Sequence, residues 1–582
     1  MAEQIISPGV FQNENVPVVL SAPAAPTGAA IVGPSSKGQI GIPVTVSSYS
    51  EYLQKFGGSH VSGGIERTYF TALSAQSYFR QGGSNLLVTR VASGSSYFTS
   101  AQSTPTISGS SAIAAADSKA STFTMKTISQ GANQNSSGSE SAGNALPTGS
   151  AENLRWEIAN ANTASGIFDL FIRQGNDRRT DKIILESWRG VSMDPTREDY
   201  IAKVIGNQSF SIGTEGDDSF INITGEYPNK SNYVIIDQVL TPTPNYLDGA
   251  GNAISAYTGS IPAAQSGSFD NATGSLDFFS GPTLFNDSIT NVNSQGLIAG
   301  DYTDALNLLK NKDQYNFNVI STPGLIYNFA SHKTVLDTLI TNTTTRGDSI
   351  LPIDVSEYGQ SVAETVTTAA ALNTNYAAAY WPWLLVKDQN TGANVWAPAS
   401  TLIPSVYVYN DTQARAWFAP AGFTRGTMPS VVTPEKTLPR GLRDTLYTGK
   451  VNPIATFPGT GVVVYGQKTL QNLSTALDRV NVRRLLITLK DFIGNLSQTL
   501  VFEPNSLQTR NSFLSTVNPY LEGVQQNQGL YAFKVVMDDS NNGPAVIDRN
   551  ELRGAIYLQP VKTAEFIVLD FNLLPTGAEF PA

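Results

Sequence analysis

The chain has 582 residues, 41% apolar, 9% aromatic and only 14% charged, with 49 glycines and 31 prolines. That exceeds one ordinary domain of about 100–200 residues, so about three to five compact units are expected. A net charge of -10 argues against a general nucleic-acid binder, which needs a basic stripe, and the absence of cysteine excludes a disulfide framework, a thiolate nucleophile and Cys-ligated zinc.

The start, Met1-Ala2-Glu3-Gln4, lacks the positive charge and apolar run of a signal peptide, and no stretch of about 20 apolar residues is present to span a bilayer. A chain soluble where it is made is expected. Residues 1–26 read as an extended arm: Val10, Phe11, Val18, Val19 and Leu20 are apolar, and the prolines among them disfavour helix.

Residues 27–95 alternate in an α/β manner. Strands are expected at Ala29–Val32, Val44–Val46 and Leu86–Val91, with a turn at Gly33-Pro34 and a helix from about Ile65 to Phe79. Between 96 and 299 the composition shifts to Ser, Ala, Gly, Thr and Asn, with strands such as Gly166–Ile172 and Tyr233–Val239. This reads as a β-rich outer insertion with long loops.

From Thr303 the α/β signal returns. A helix carries Ala305, Leu306, Leu308 and Leu309; strands are expected at Asn318–Ser321 and Ser349–Val355, and a helix at His332–Thr341. Such alternation implies a parallel sheet. Because 27–95 has too few strands alone, it pairs with 300–450 as one discontinuous domain.

Residues 451–564 form a C-terminal unit with a strand at Val462–Tyr465, a long helix over about Thr475–Leu500, a helix near Asn511–Gly523, and strands Ala532–Met537 and Ala555–Gln559. The last segment, 565–582, opens with a long apolar strand carrying Phe566, Val568 and Phe571. A strand so apolar must be paired or it aggregates.

The chemistry of catalysis is hard to assemble from these residues. Only His60 and His332 are present, His60 in an expected loop and His332 opening a helix, neither in a triad or zinc context. Gly33–Gly38 has its lysine before the second glycine and reads as a turn, not a phosphate loop. Arg346-Gly347-Asp348 leads into a strand and reads as structural. Asp538 and Asp539, with Asn541, Asn542 and Gly543, read as a loop with calcium binding as the less favoured alternative. No catalytic residue, metal or cofactor is assigned.

Several motifs occur in a shared order: Ser7-Pro8-Gly9-Val10, Ala30-Ile31-Val32-Gly33-Pro34, Tyr78-Phe79-Arg80-Gln81-Gly82-Gly83, Trp417-Phe418-Ala419-Pro420, Tyr465-Gly466-Gln467-Lys468-Thr469-Leu470, Leu477-Asp478-Arg479-Val480-Asn481-Val482-Arg483-Arg484-Leu485, Phe502-Glu503-Pro504-Asn505 and Asp548-Arg549-Asn550-Glu551. On these residues the chain resembles the tail sheath proteins of contractile-tailed bacteriophages. The match spans nearly everything outside 96–300.

The resemblance implies a mixed α/β multidomain fold: a subtilisin-like α/β domain without catalytic residues, a β-rich outer insertion and a C-terminal α+β assembly domain. It implies a structural subunit that polymerises with itself as stacked hexameric rings around a tail tube, joined by arm strands added to neighbouring sheets, and that contracts. Baseplate, tail tube and terminator proteins are its expected partners, with no nucleic acid and no direct membrane insertion. The expected location is the virion tail, after assembly in the host cytoplasm. A bacterial contractile device, an inactive hydrolase and a carbohydrate-binding tail module remain as alternatives. Arg479, Arg483, Arg484 and Lys490, clustered in an acidic chain, are candidates for facing the tube; the competing reading makes them a solvated face or internal ion pairs with Glu503 or Asp548.

Overall fold

The computed structural model describes residues 28–62, 65–92, 98–112, 119–136, 138, 145–216, 218–274 and 289–565. The arm residues Val10, Phe11, Val18, Val19, Phe566, Val568 and Phe571 lie outside the described residues.

Residues on both sides of the insertion build one sheet. Strands β1 (Gly28–Gly33) and β2 (Pro43–Val46) are followed by helices α1 (Tyr49–Phe56) and α2 (Phe70–Arg80) and strand β3 (Leu86–Arg90). After the insertion come α3 (Thr303–Leu308), β4 (Phe317–Ser321), α4 (Ala330–Arg346), β5 (Leu351–Ile353), β6 (Ala377–Trp381), α5 (Ile403–Gln413), α6 (Arg440–Thr448), β7 (Val451–Phe457) and β8 (Gly461–Val464).

Strand β1 pairs in parallel with β3 and with β4, Ala30 lying opposite Leu87 and Ile320. Strands β5, β6 and β7 pair in parallel, and β2 and β8 add antiparallel edges. Two hydrogen bonds join the halves: Ile320 N–H to Ile350 O at 3.1 Å, and Ile350 N–H to Asn318 O at 3.0 Å. Every residue of β1 is buried, as expected of a strand covered on both faces. Ala29 and Ile31 pack towards α1, α2 and α5, while Ala30 and Val32 pack towards α3, α4 and α6. The result is a mixed α/β three-layer body.

Residues 451–464, assigned from sequence to the C-terminal unit, belong to this body, since β7 hydrogen-bonds to β6. The helix expected from Ile65 starts only at Phe70. Residues Ile65–Thr68 are a strand facing Ser59–Ser62, so their backbone groups are satisfied across the hairpin. His60 therefore sits in a strand, its ring stacked on Tyr69 at 6.4 Å, and not in a loop.

The insertion is β-rich. Its main sheet has seven antiparallel strands in the spatial order Ile184–Ser192, Ile167–Gln174, Leu154–Asn162, Gln265–Asp270, Ser100–Thr104, Phe123–Gln130 and Val234–Val239. Trp156, Phe168, Leu170, Ile172 and Phe269 fill its core. Asp177, buried at the end of the hairpin, accepts from Arg155 at 3.0 Å and from Arg173 at 2.7 Å; Arg173 also reaches Glu157 at 2.9 Å. The insertion meets the body at the Lys37–Gly38 turn. Lys37 pairs with Glu152 at 3.3 Å, Gly38 N–H donates to Ser129 Oγ at 2.6 Å, and the buried Arg90 guanidinium donates to the carbonyls of Gly38 and Gln130. Gly38 has φ 111°, where a side chain would also collide with Phe56.

Candidate assembly interface

Helix α7 (Val480–Gln498) begins after a 3-10 turn at Ala476–Asp478. Helix α8 (Leu507–Gln526) starts at Ser506, whose hydroxyl accepts from Thr509 N–H at 3.2 Å and so satisfies one unpaired terminal donor. Leu485 and Leu489 of α7 pack with Phe513, Val517, Leu521 and Val524 of α8, and the rings of Phe492 and Tyr520 stack at 3.6 Å. Strands β9 (Leu530–Val536) and β10 (Ala555–Pro560) form an antiparallel pair. Phe533, Val535, Ile556 and Leu558 face the helices, while Tyr531 and Tyr557 are exposed. Among the described residues neither outer edge of this pair carries a further strand. The edge of such a pair can accept an incoming strand, although on β9 the carbonyls of Tyr531 and Val536 already accept from Gln525 and Asn541 at 2.8 Å.

The cationic cluster is used largely inside the chain. Arg484 is 3% exposed, pairs with Asp411 of α5 at 2.5 Å and lies 4.7 Å over the ring of Tyr407, whose hydroxyl bonds Tyr380 at 2.7 Å. Arg483 is 3% exposed, stacks on Tyr376 at 3.8 Å and donates to Asn375 at 3.3 Å. Burial pushes the Arg483 guanidinium below its usual range. These two arginines fasten the first turns of α7 to the α/β body and are turned away from any outer partner. The acidic partner of Arg484, Asp411, is neither Glu503 nor Asp548, Arg483 has no acidic partner among the described residues, and nothing near the motif in sequence signals these contacts. Lys490, on the same helix, is exposed.

Arg479 closes a second cluster at the point where the described chain ends. Its guanidinium donates to Glu565 at 2.7 and 3.0 Å and pairs with Asp478 at 2.9 Å. Glu565 also accepts from the Tyr447 hydroxyl of α6 at 2.8 Å and from Gln467 Nε2 at 3.1 Å; Gln467 reaches Thr563 at 2.5 Å as well. Burial alone would raise the Glu565 carboxyl, but the hydrogen bonds from Arg479, Tyr447 and Gln467 outweigh it and hold it below its ordinary value. Burial, then the charge of Glu565, pushes the Tyr447 hydroxyl up. Burial, then the charge of Arg479, lowers Lys468, whose ammonium lies 4.3 Å over the Tyr447 ring. A cleft of about 310 Å³ lies beside the cluster, lined by Thr475, Asp478, Arg479, Asn481 and Lys562.

The remaining candidates are structural. His332 is fully buried, its Nδ1 accepts from Ile326 N–H at 3.1 Å, and burial lowers it to about 4, so the ring is neutral. Arg346 pairs with Asp348 at 2.9 Å and donates to the carbonyls of Leu309 and Tyr315, while Gly347 closes α4 in the left-handed conformation. Asp539 pairs with Arg510 at 2.8 Å, and Asp538 accepts from Ser540 N–H in a loop. Among the described residues no group of three or more His, Cys, Asp or Glu could hold a metal ion, and no helix is long and apolar enough to cross a membrane.

Residues 474–573, which hold these two helices and the strand pair, match the phage tail sheath C-terminal domain. The chain is 39% identical over 225 residues to the tail sheath protein of Vibrio phage KVP40 and 36% identical over 214 residues to that of Enterobacteria phage T4. These matches cover 38% and 37% of this chain but only 32% and 31% of the respective relatives. The matches show the tail sheath resemblance read from the motifs. A crystal structure of a sheath tail protein from Listeria innocua shares the fold, with a TM-score of 0.50 at 9% identity over 92% of this chain and 96% of that one.

Proposed function

We propose that the chain is a structural, non-enzymatic subunit of a contractile tail sheath, polymerising as stacked hexameric rings around a tail tube. The observation that carries this reading is the match of residues 474–573 to the sheath C-terminal domain. The open edges of the β9–β10 pair support linkage by strand addition, in which residues 1–26 and 566–582 of neighbouring copies satisfy those backbone groups. Each such contact joins unlike surfaces, so repetition yields an open helical polymer. The eight-stranded body, subtilisin-like in this reading and without a catalytic triad, acts as a rigid block. Shortening is driven by the free-energy difference between an extended, kinetically trapped lattice and a contracted one, with no nucleotide consumed. Tail tube, baseplate and terminator proteins are the partners, and the finished place is the virion after assembly in the host cytoplasm.

The test is sedimentation of the full chain beside one lacking 1–26 and 566–582, with circular dichroism on both. The account expects the full chain to pellet as polymer and the shortened chain to stay in the supernatant with unchanged secondary structure. Equal pelleting would overturn the arm linkage.

A further inference from the structure

Beside the clamp that holds Glu565 lies a surface that soluble chains seldom leave open. Phe423 is 52% exposed and Tyr465 45%, yet their rings touch each other and Phe457: Phe423–Phe457 at 5.0 Å, Phe457–Tyr465 at 4.9 Å and Phe423–Tyr465 at 5.9 Å. The Arg443 guanidinium sits 4.9 Å from the Phe457 ring and 5.3 Å from Tyr465, and Leu442 beside it is 41% exposed. A contiguous aromatic patch of this kind marks a binding surface more often than ordinary solvent-facing residues do.

Its position indicates the occupant. Arg443 and Tyr447 are four residues apart on α6 and so share a face. Tyr447 holds Glu565, and so does Gln467, two residues from Tyr465. The patch therefore borders the residue from which the chain continues as Phe566-Ile567-Val568-Leu569-Asp570-Phe571-Asn572-Leu573-Leu574, a stretch with two phenylalanines and five aliphatic residues. Nine extended residues reach about 30 Å, ample to cross three rings.

We propose that the Phe423–Phe457–Tyr465 bed receives residues 566–574 of the same chain while the subunit is unassembled, an inference that rests on the reading of 566–582 as a subunit-linking arm. The self-contact covers an aggregation-prone strand and must be released before that strand can pair with a neighbour, which makes it a brake on premature polymerisation.

Hydrogen exchange on the full-length chain, held dilute enough to stay monomeric, tests this. Wild type is expected to exchange at 566–574 about tenfold more slowly than a Phe423→Ser/Tyr465→Ser double variant, with α7 equally protected in both. The variant is also expected to polymerise with a shorter lag on concentration. Equal exchange at 566–574 in the two chains would overturn the proposal. A photo-crosslinking residue placed at 423 in otherwise wild-type chain is an independent check: attachment to 566–574 within one chain supports the contact, and attachment between chains or elsewhere overturns it. The arm reading fails separately, if deleting 566–582 leaves polymerisation intact.

Discussion

The Arg484–Asp411 pair is asymmetric, and its two halves should not cost the same to remove. Arg484 is 3% exposed, whereas the Asp411 side chain is 28% exposed. Asp411→Ala leaves a guanidinium buried with only the Tyr407 face for company, and losing one partner of a buried pair costs about 3–5 kcal/mol. Arg484→Met leaves a carboxylate that already touches water and can turn further into it. What is lost is then the cation–π contact, about 1–2 kcal/mol, with modest loss of packing, so about 2 kcal/mol in all. The assay is urea unfolding of each single variant and of the double variant, followed by tryptophan fluorescence, since Trp417 packs beside this junction and donates to Asn527 O at 2.9 Å. The first transition should move further for Asp411→Ala than for Arg484→Met, and adding Arg484→Met to Asp411→Ala should restore part of the loss. An Arg484→Met effect equal to or larger than that of Asp411→Ala would refute the reasoning that the buried cation, not the pair as such, sets the cost.

Two buried groups give opposing pH dependences. His332 is lowered to about 4 by burial, so its contribution is present above pH 6.5 and is lost as pH falls towards 4, about 3 kcal/mol in total. Asp354 is raised to about 7 by burial, offset in part by hydrogen bonds from Ser400, so its contribution is present below pH 3.8 and is lost as pH rises towards 7. Melting temperatures between pH 4.5 and 7 should therefore vary little in wild type on account of these two groups, rise on acidification in His332→Asn, and fall on acidification in Asp354→Asn; parallel profiles would contradict this. In the insertion, Asp177→Ala strips the carboxylate shared by Arg155 and Arg173 and should destabilise that sheet by about 3 kcal/mol, seen as faster hydrogen exchange at 154–174; a change under about 1 kcal/mol would count against the buried network.

The α/β body was legible because parallel strands buried on both faces read as continuous apolar runs, as Ala29–Val32 and Leu86–Val88 do. Helix α1 is absent from the sequence expectations although its start signal is present, Ser48 standing three residues before Glu51 and capping the helix. Helix α4 runs five residues past Thr341, to the left-handed Gly347 that ends it; within this polar run, which resembles a loop, Thr343, Thr344 and Thr345 satisfy their hydroxyls on carbonyls four residues back. Pairings such as Ser268 with Thr104 join segments far apart in sequence, and no local pattern specifies them. The same distance hid the fate of Arg483 and Arg484. Charge in a motif suggests a surface, but Tyr376 and Asp411, which bury these two, come from other parts of the fold.

The proposed polymer is a hollow helical sheath of this chain. Electron microscopy of the purified 582-residue chain should show hollow cylinders of stacked rings with a regular helical repeat, and discrete particles at every salt and pH tried would refute the sheath.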